Sequence, residues 1–372
     1  MKIGLLITSM GNFGQKGFYN AQEIGLAKAL DSLGNEVIVY KLVSIKERKH
    51  VEKIDSCKHS RIIFYPTKCL GINGIIDTKI LDTSLDALIY FSDTQFCVPK
   101  VYKWARKNSV KFFPYIGVIE SHSNNKMKKK LVNGMFKRNL RVYKKCHCFT
   151  KTPTVKMRLE EIGVKNVTVT PVGLDLSLLE SDFENYDLIE LKKKYCYKSE
   201  DKVLLFIGRL IEEKQPIRMI EIFSELYQQN TSLRLLIVGT GELKDQVTNL
   251  IKKKELEDYI QMIDKIPNKN IWELYRIADC FVNLNQQEIF GMAILEAMYY
   301  GCKVVAWQAP GPNLIIEDGV SGWLAASNED VKDYIKNPQD MSMAAYNRIV
   351  NKFTWASTAK TIIRRLQEEK NE

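Results

Sequence analysis

The chain has 372 residues, of which 45% are hydrophobic and 27% charged, with a net charge of +11. That length exceeds one ordinary core and suits two domains. The composition excludes long-range disorder, and no apolar run reaches the roughly 18 residues that a membrane span needs.

KIGLLIT opens the chain as a buried strand. Met1–Met10 superficially resembles a leader peptide, but its apolar core is short and a glycine-bearing loop (Gly11, Gly14, Gly17) follows in place of a cleavage site. A helical pattern through Ile24, Leu26, Ala27, Leu30 and Leu33 stops at Gly34, and EVIVYKL is the next strand. RIIFYP, ALIYFS, VKFFPYIGV, NVTVTPV, KVLLFIG, RLLIVG, CFVNLN and KVVAW follow as short, apolar, β-branched strands separated by helical patterns. This alternation predicts an α/β fold with parallel sheets buried on both faces. The plan restarts at Val203, after a polar segment from Ser181 to Asp201. Two doubly wound, Rossmann-like domains facing a cleft are therefore expected, the first over 1–172 and the second over 173–354. Ligands of such sheets bind at the carboxyl ends of the strands.

Residues 1–180 hold 30 Lys and Arg against 15 Asp and Glu, whereas residues 181–372 hold 25 against 29. One half therefore faces something anionic. From Ser121 to Leu159 there are 12 Lys and Arg and no acid. Within it Val132, Phe136, Leu140 and Tyr143 repeat at helical spacing, beside Leu131 and Met135. A basic amphipathic helix over 126–145 suits an anionic membrane surface. The same stripe also suits packing on the first domain with the lysines solvated. Nucleic acid is not expected as a partner, because no recognised motif and no basic–aromatic interleaving is present. The eight cysteines are scattered. Only Cys146 and Cys148 are close, as C-H-C, and no second ligand pair answers them, so no metal is expected and the thiols read as reduced in a cytosol.

Three strand ends carry the candidate chemistry. In FIGRLIEEKQP, Gly208 closes a strand, Arg209 follows and Lys214 precedes a helix. Two cations there suit a diphosphate, where either alone would read as a surface residue. In IVGTGEL, Gly239 and Gly241 allow close backbone approach to a ligand, or serve as a plain turn. In EIFGMAILEAMYYG, Glu288 precedes a helix that starts near Gly291 and Met292 and ends before Gly301. Glu296 lies inside it among Ile294, Leu295, Ala297 and Met298, a poor setting for an idle exposed acid. The first N–H groups of such a helix are unpaired and partly positive. Two carboxylates beside them suit sugar hydroxyls, against the simpler reading of a helix-start acid and a solvated face.

The E-x7-E spacing of Glu288 and Glu296, with G-R-x4-K at Gly208, Arg209 and Lys214, resembles glycosyltransferase family 4. TPVGLD, GPNLIIEDGVSGWL and NKFTWASTAKTIIRRL resemble further stretches of that family, and the likeness runs over essentially the whole chain. It implies the GT-B fold, with the final helix (355–372) packing back on the first domain, and a retaining, nucleotide-sugar-dependent activity. By that resemblance Arg209 and Lys214 hold the donor diphosphate, Glu296 the ribose, and Glu288 the donor sugar with N–H groups from Phe290 to Met292. His122 would stand beside the sugar, although a lone histidine is more often structural. Gly14 belongs to a loop approaching donor and acceptor, where GNFGQKG departs from the family's adjacent glycines. The co-substrate would be a UDP- or GDP-linked sugar with no other cofactor, and the acceptor lipid-linked or a glycan of the cell envelope. The expected location is cytoplasmic, peripheral on the inner face of the membrane. No D-x-D triplet is present for a metal clamp. A sugar-nucleotide epimerase or phosphorylase on the same fold, and a non-catalytic anion- or lipid-binding protein, are the competing readings.

Overall fold

The computed structural model describes residues 1–10, 21–71, 73–119 and 126–371. They fall into two compact units, Met1–Asp175 with Thr354–Glu372, and Leu176–Phe353.

In the first unit the strands are β1 (Lys2–Ile7), β2 (Glu36–Ser44), β3 (His50–Lys53), β4 (Arg61–Thr67), the small hairpin β5 (Cys69–Leu70) and β6 (Asn73–Gly74), then β7 (Ala87–Phe91), β8 (Lys111–Ile116), β9 (Cys148–Thr150) and β10 (Val167–Val169). The helices are α1 (Gln22–Ser32), α2 (Val98–Lys107), α3 (Lys126–Tyr143) and α4 (Pro153–Glu161). The main sheet runs β10-β9-β8-β7-β1-β2-β4-β3, parallel except where β3 pairs with β4. β1 is buried almost from end to end, as expected of a parallel strand covered on both faces.

The second unit contains α5 (Leu188–Lys194), β11 (Lys202–Ile207), α6 (Pro216–Tyr227), β12 (Leu233–Val238), α7 (Lys244–Lys253), β13 (Ile260–Ile263), α8 (Ile271–Ile277), β14 (Cys280–Asn283), α9 (Met292–Tyr299), β15 (Lys303–Trp307), α10 (Pro312–Ile315), β16 (Trp323–Ala325), α11 (Asn328–Lys336) and α12 (Ser342–Lys352). Its sheet is wholly parallel, in the order β13-β12-β11-β14-β15-β16. Each unit thus has a strand from which successive connections leave in both directions. The switch points lie between β1 and β7 and between β11 and β14, the places where doubly wound sheets take ligands.

The last helix, α13 (Trp355–Asn371), belongs to the first unit and packs on α1. Glycine permits this contact. A Cβ on Gly25 would lie 2.2 Å from Trp355 Nε1, and one on Gly173 would lie 2.2 Å from the Trp355 backbone nitrogen. His147 meets the other end of α13. Arg365 Nε donates to its Nδ1 at 3.1 Å, so the proton sits on Nε2, 2.8 Å from Thr168 Oγ1. Burial, helped by the Arg365 charge, lowers His147 to about 4 and keeps it neutral. Glu369 at 3.6 Å is therefore a neighbour of the ring, not an ion-pair partner.

Candidate active site

The carboxyl ends of β11 and β14 bring two loops together. After β11 come Gly208 and Arg209, a tight turn over Glu212–Lys214, and Gln215 in the left-handed region at φ 59°. Pro216 then opens α6, where its missing N–H costs nothing. After β14 come Leu284 to Gly291, and α9 begins at Met292.

The loops meet through charge. Lys214 Nζ lies 2.6 Å from Glu288 Oε2. The same oxygen accepts from Asn283 Nδ2 at 3.4 Å and from Asn285 Nδ2 at 3.2 Å. Asn285, buried, also donates to Glu213 Oε1 at 3.3 Å. Glu288 Oε1 has no partner among the described residues. Arg209 is exposed and its guanidinium has none either. The site therefore presents one uncompensated cation, one lysine held by a carboxylate, and a carboxylate fixed through one oxygen with the other free. The spacing had singled out Arg209, Lys214 and Glu288. It had not singled out Asn283, Asn285 or Glu213, although N-x-N-x-x-E stands in the sequence and Glu213 is next to Lys214.

The glycines divide by what surrounds them. A Cβ on Gly239 would lie 1.9 Å from Gly208 O, and one on Gly241 would lie 2.3 Å from Leu210 O. Both let the loop after β12 press against the loop after β11, so they shape the site by packing. Gly311 does the same for the other loop: its Cβ would lie 2.1 Å from Phe290 O, and its N–H donates to Glu288 O at 2.9 Å. Gly291 has φ 99°, which lets the chain turn from Glu288 into α9. Phe290 is buried in the core and anchors this turn, and Met292 is the first helical residue. Gly208 differs from these. A Cβ there would meet only Lys214 carbons at 3.7 Å and beyond, an ordinary contact. The protein's own packing does not demand glycine at 208.

Glu296 lies on α9 and is 5% exposed. Tyr275, on α8, donates its hydroxyl to Glu296 Oε2 at 2.9 Å. Burial pushes the carboxyl up to about 7, and the Tyr275 hydrogen bond opposes that rise. Oε1 has no protein partner among the described residues, yet it is not one of the sealed, unpaired atoms, so it keeps contact with solvent.

His122 and Gly14 lie outside the described residues. Nearby in the chain, the switch point of the first unit is polar and ordered. Thr8 Oγ1 lies 2.7 Å from the Tyr90 hydroxyl and donates to Gln95 Oε1 at 3.1 Å, all three buried. Asp93, at φ 27°, accepts from the backbone N–H of Gly117 at 2.5 Å and of Val118 at 3.0 Å. These residues had no motif to announce them. On α3 the apolar stripe splits. Phe136 and Tyr143 enter the core and Leu140 packs against it. Met127 and Leu131 stand 84% and 66% exposed, with Lys126, Lys129 and Lys130 around them. None of the helices among the described residues is long and apolar enough to cross a membrane.

Residues 189–344 match the family model described as glycosyl transferases group 1. The alpha-monoglucosyldiacylglycerol synthase of Acholeplasma laidlawii is 25% identical over 241 residues, covering 61% of this chain and 60% of the relative. The matched stretch thus spans under two thirds of that relative. Among solved structures, sucrose-phosphate synthase of Thermosynechococcus elongatus superposes with a TM-score of 0.73 at 15% identity, covering 99% of this chain and 98% of the other. The Anabaena protein HepE, in complex with UDP and glucose, superposes with a TM-score of 0.69 at 15% identity, covering 99% of each. At such identity these two structures establish the fold.

Proposed function

We propose, for a chain that is a family 4-like, group 1 glycosyltransferase with the GT-B fold of two Rossmann-like domains, that it moves a sugar from a nucleotide sugar to a lipid-linked or glycan acceptor. The reading includes retention of anomeric configuration and independence of metal. The observation that carries it is the arrangement at the β11/β14 switch point: an Arg209 without a partner among the described residues, a Lys214–Glu288 pair at 2.6 Å, and a glycine at 208 that the protein's own packing does not require. Those features suit a diphosphate whose charge is met by two side-chain cations and not by a metal.

In this mechanism Arg209 and Lys214 take the diphosphate oxygens. Lys214 turns toward phosphate while Asn283 and Asn285 hold Glu288, whose free Oε1 accepts from a hydroxyl of the donor sugar. Glu296 accepts from the ribose hydroxyls. The acceptor oxygen bonds to the anomeric carbon on the face from which the diphosphate departs. The bond from that carbon to the diphosphate oxygen breaks, its electron pair stays with the diphosphate, and the acceptor's proton passes to a phosphate oxygen. The cations stabilise the charge that develops on the leaving group. His122 and the loop bearing Gly14 are assigned to the sugar and acceptor side. The co-substrate is a UDP- or GDP-linked sugar, which agrees with the UDP carried by HepE. The exposed Met127 and Leu131 amid lysines support docking of α3 on an anionic membrane, as a lipid-linked acceptor would require.

The test is nucleotide release from a panel of UDP- and GDP-sugars, with extracted lipid and oligosaccharide acceptors. Acceptor-dependent release that disappears in Glu288→Ala supports the reading. Conversion of the nucleotide sugar to an isomer without release would replace it with an epimerase.

A further inference from the structure

Among the described residues the buried Glu296 carboxyl is held by one side chain, the hydroxyl of Tyr275. The two residues are 21 positions apart, on α9 and α8. Tyr275 is itself fully buried. Its ring stacks on Tyr300 with centroids 6.0 Å apart and meets Phe281 edge-on at 5.9 Å. A hydroxyl on so confined a ring has little freedom, so it fixes the oxygen it binds. Only Oε2 of Glu296 is taken by it, and Oε1 remains open. The charged and titratable groups around the pair are few. Arg276 on α8 donates to Tyr300 O at 3.4 Å, and the Tyr300 hydroxyl accepts from the backbone N–H of Glu180. Tyr299 at the end of α9 packs against Tyr346 of α12. None of these reaches the Glu296 carboxyl with a hydrogen bond or an ion pair among the described residues.

We infer that Tyr275 is a positioning residue for nucleotide binding, its hydroxyl anchoring Glu296 through Oε2 so that Oε1 is presented to the ribose hydroxyls. This inference rests on the ribose reading of Glu296. It has a consequence for protons. A buried carboxyl held by one tyrosine is partly protonated near neutrality in the free protein, as burial raises it to about 7. Accepting from both ribose hydroxyls favours the ionised form, so nucleotide binding expels a proton and tightens as pH rises through neutrality. Without the Tyr275 hydroxyl the carboxyl would rise further and that pH dependence would move upward.

The experiment is calorimetric titration of the protein with UDP and with GDP from pH 5.5 to 9, on wild type, Tyr275→Phe and Glu296→Gln. At pH 7 Tyr275→Phe should bind about tenfold more weakly, the loss of one hydrogen bond to a charged group, and should recover toward wild type at pH 9. Glu296→Gln should be weak and flat across the range. Tyr275→Phe with the wild-type pH midpoint, while Glu296→Gln is weakened, overturns the positioning role alone. Glu296→Gln binding as tightly as wild type overturns the ribose reading on which it stands. Should Tyr275→Phe not fold, wild type in two buffers of different ionisation enthalpy still decides. Proton release at pH 7 that vanishes in Glu296→Gln supports the coupling, and no release overturns it.

Discussion

Replacing Glu296 with glutamine isolates the cost of burying its charge, independently of any ligand. The carboxyl stands at about 7 in the folded protein against an ordinary 4.5. Between those values the folded state binds the proton more tightly than the unfolded chain. Wild-type stability therefore falls as pH rises through this window, and the loss is complete above it. The displacement corresponds to about 3 kcal/mol at 1.36 kcal/mol per pKa unit. Glutamine keeps the volume and still accepts from Tyr275, but carries no charge to bury. Glu296→Gln should thus be more stable than wild type by about 3 kcal/mol at pH 8, and by less than about 1 kcal/mol at pH 5, where most wild-type carboxyls are protonated in the folded state. Urea unfolding at both pH values, followed by tryptophan emission, measures the difference, since Trp272, Trp307 and Trp323 all report on the second unit. A gap that is the same at pH 5 and pH 8 would refute the reasoning, as would a variant less stable than wild type at pH 8.

Further outcomes follow from other parts of the site. Arg209→Ala and Lys214→Ala should each weaken UDP or GDP binding by about 3 kcal/mol, the size of one charge-assisted contact, with the fold retained by circular dichroism; unchanged affinity in both would remove the diphosphate assignment. Gly208→Ala should leave thermal stability near wild type and reduce nucleotide affinity, whereas Gly241→Ala should lower the melting temperature, because its Cβ meets Leu210 O at 2.3 Å; equal thermal stability of the two variants would contradict the division drawn between these glycines. Glutamine at Lys126, Lys129 and Lys130 should weaken binding to anionic vesicles by about 3 kcal/mol, at about 1 kcal/mol per cation, and added salt should do likewise. Vesicle binding equal to wild type at low salt would return α3 to a solvated face.

The sequence made the long buried strands and the two-part plan visible because parallel strands covered on both faces are nearly continuous apolar runs. It did not reveal β3, β9, β13 or β16. These are three or four residues long, which leaves little periodicity to register; β10 and β14 are as short and were legible only through the longer stretches NVTVTPV and CFVNLN. At the site, spacing picked out Arg209, Lys214, Glu288 and Glu296 and gave correct grounds for burying Glu296, whose neighbours are all apolar. Its partner Tyr275 was not legible, because a contact across 21 residues depends on how α8 and α9 pack. Gly239 and Gly241 looked like places for a ligand to approach, and their tight neighbours are backbone carbonyls of the adjacent loop. Such crowding exists only after the strands are laid side by side. On α3 the helical period located the stripe, while the division into a buried and an exposed end came from where the core stops.

The central claim is transfer of a sugar from a nucleotide donor, without metal and with retention. It is tested most directly by incubating the protein in EDTA with the UDP- or GDP-sugar it consumes and its acceptor, then reading the anomeric coupling of the purified product by NMR. An α-linked product from an α-linked donor, formed at the same rate with and without EDTA, is the predicted result. A β-linked product, or activity lost in EDTA and restored by magnesium, would contradict it.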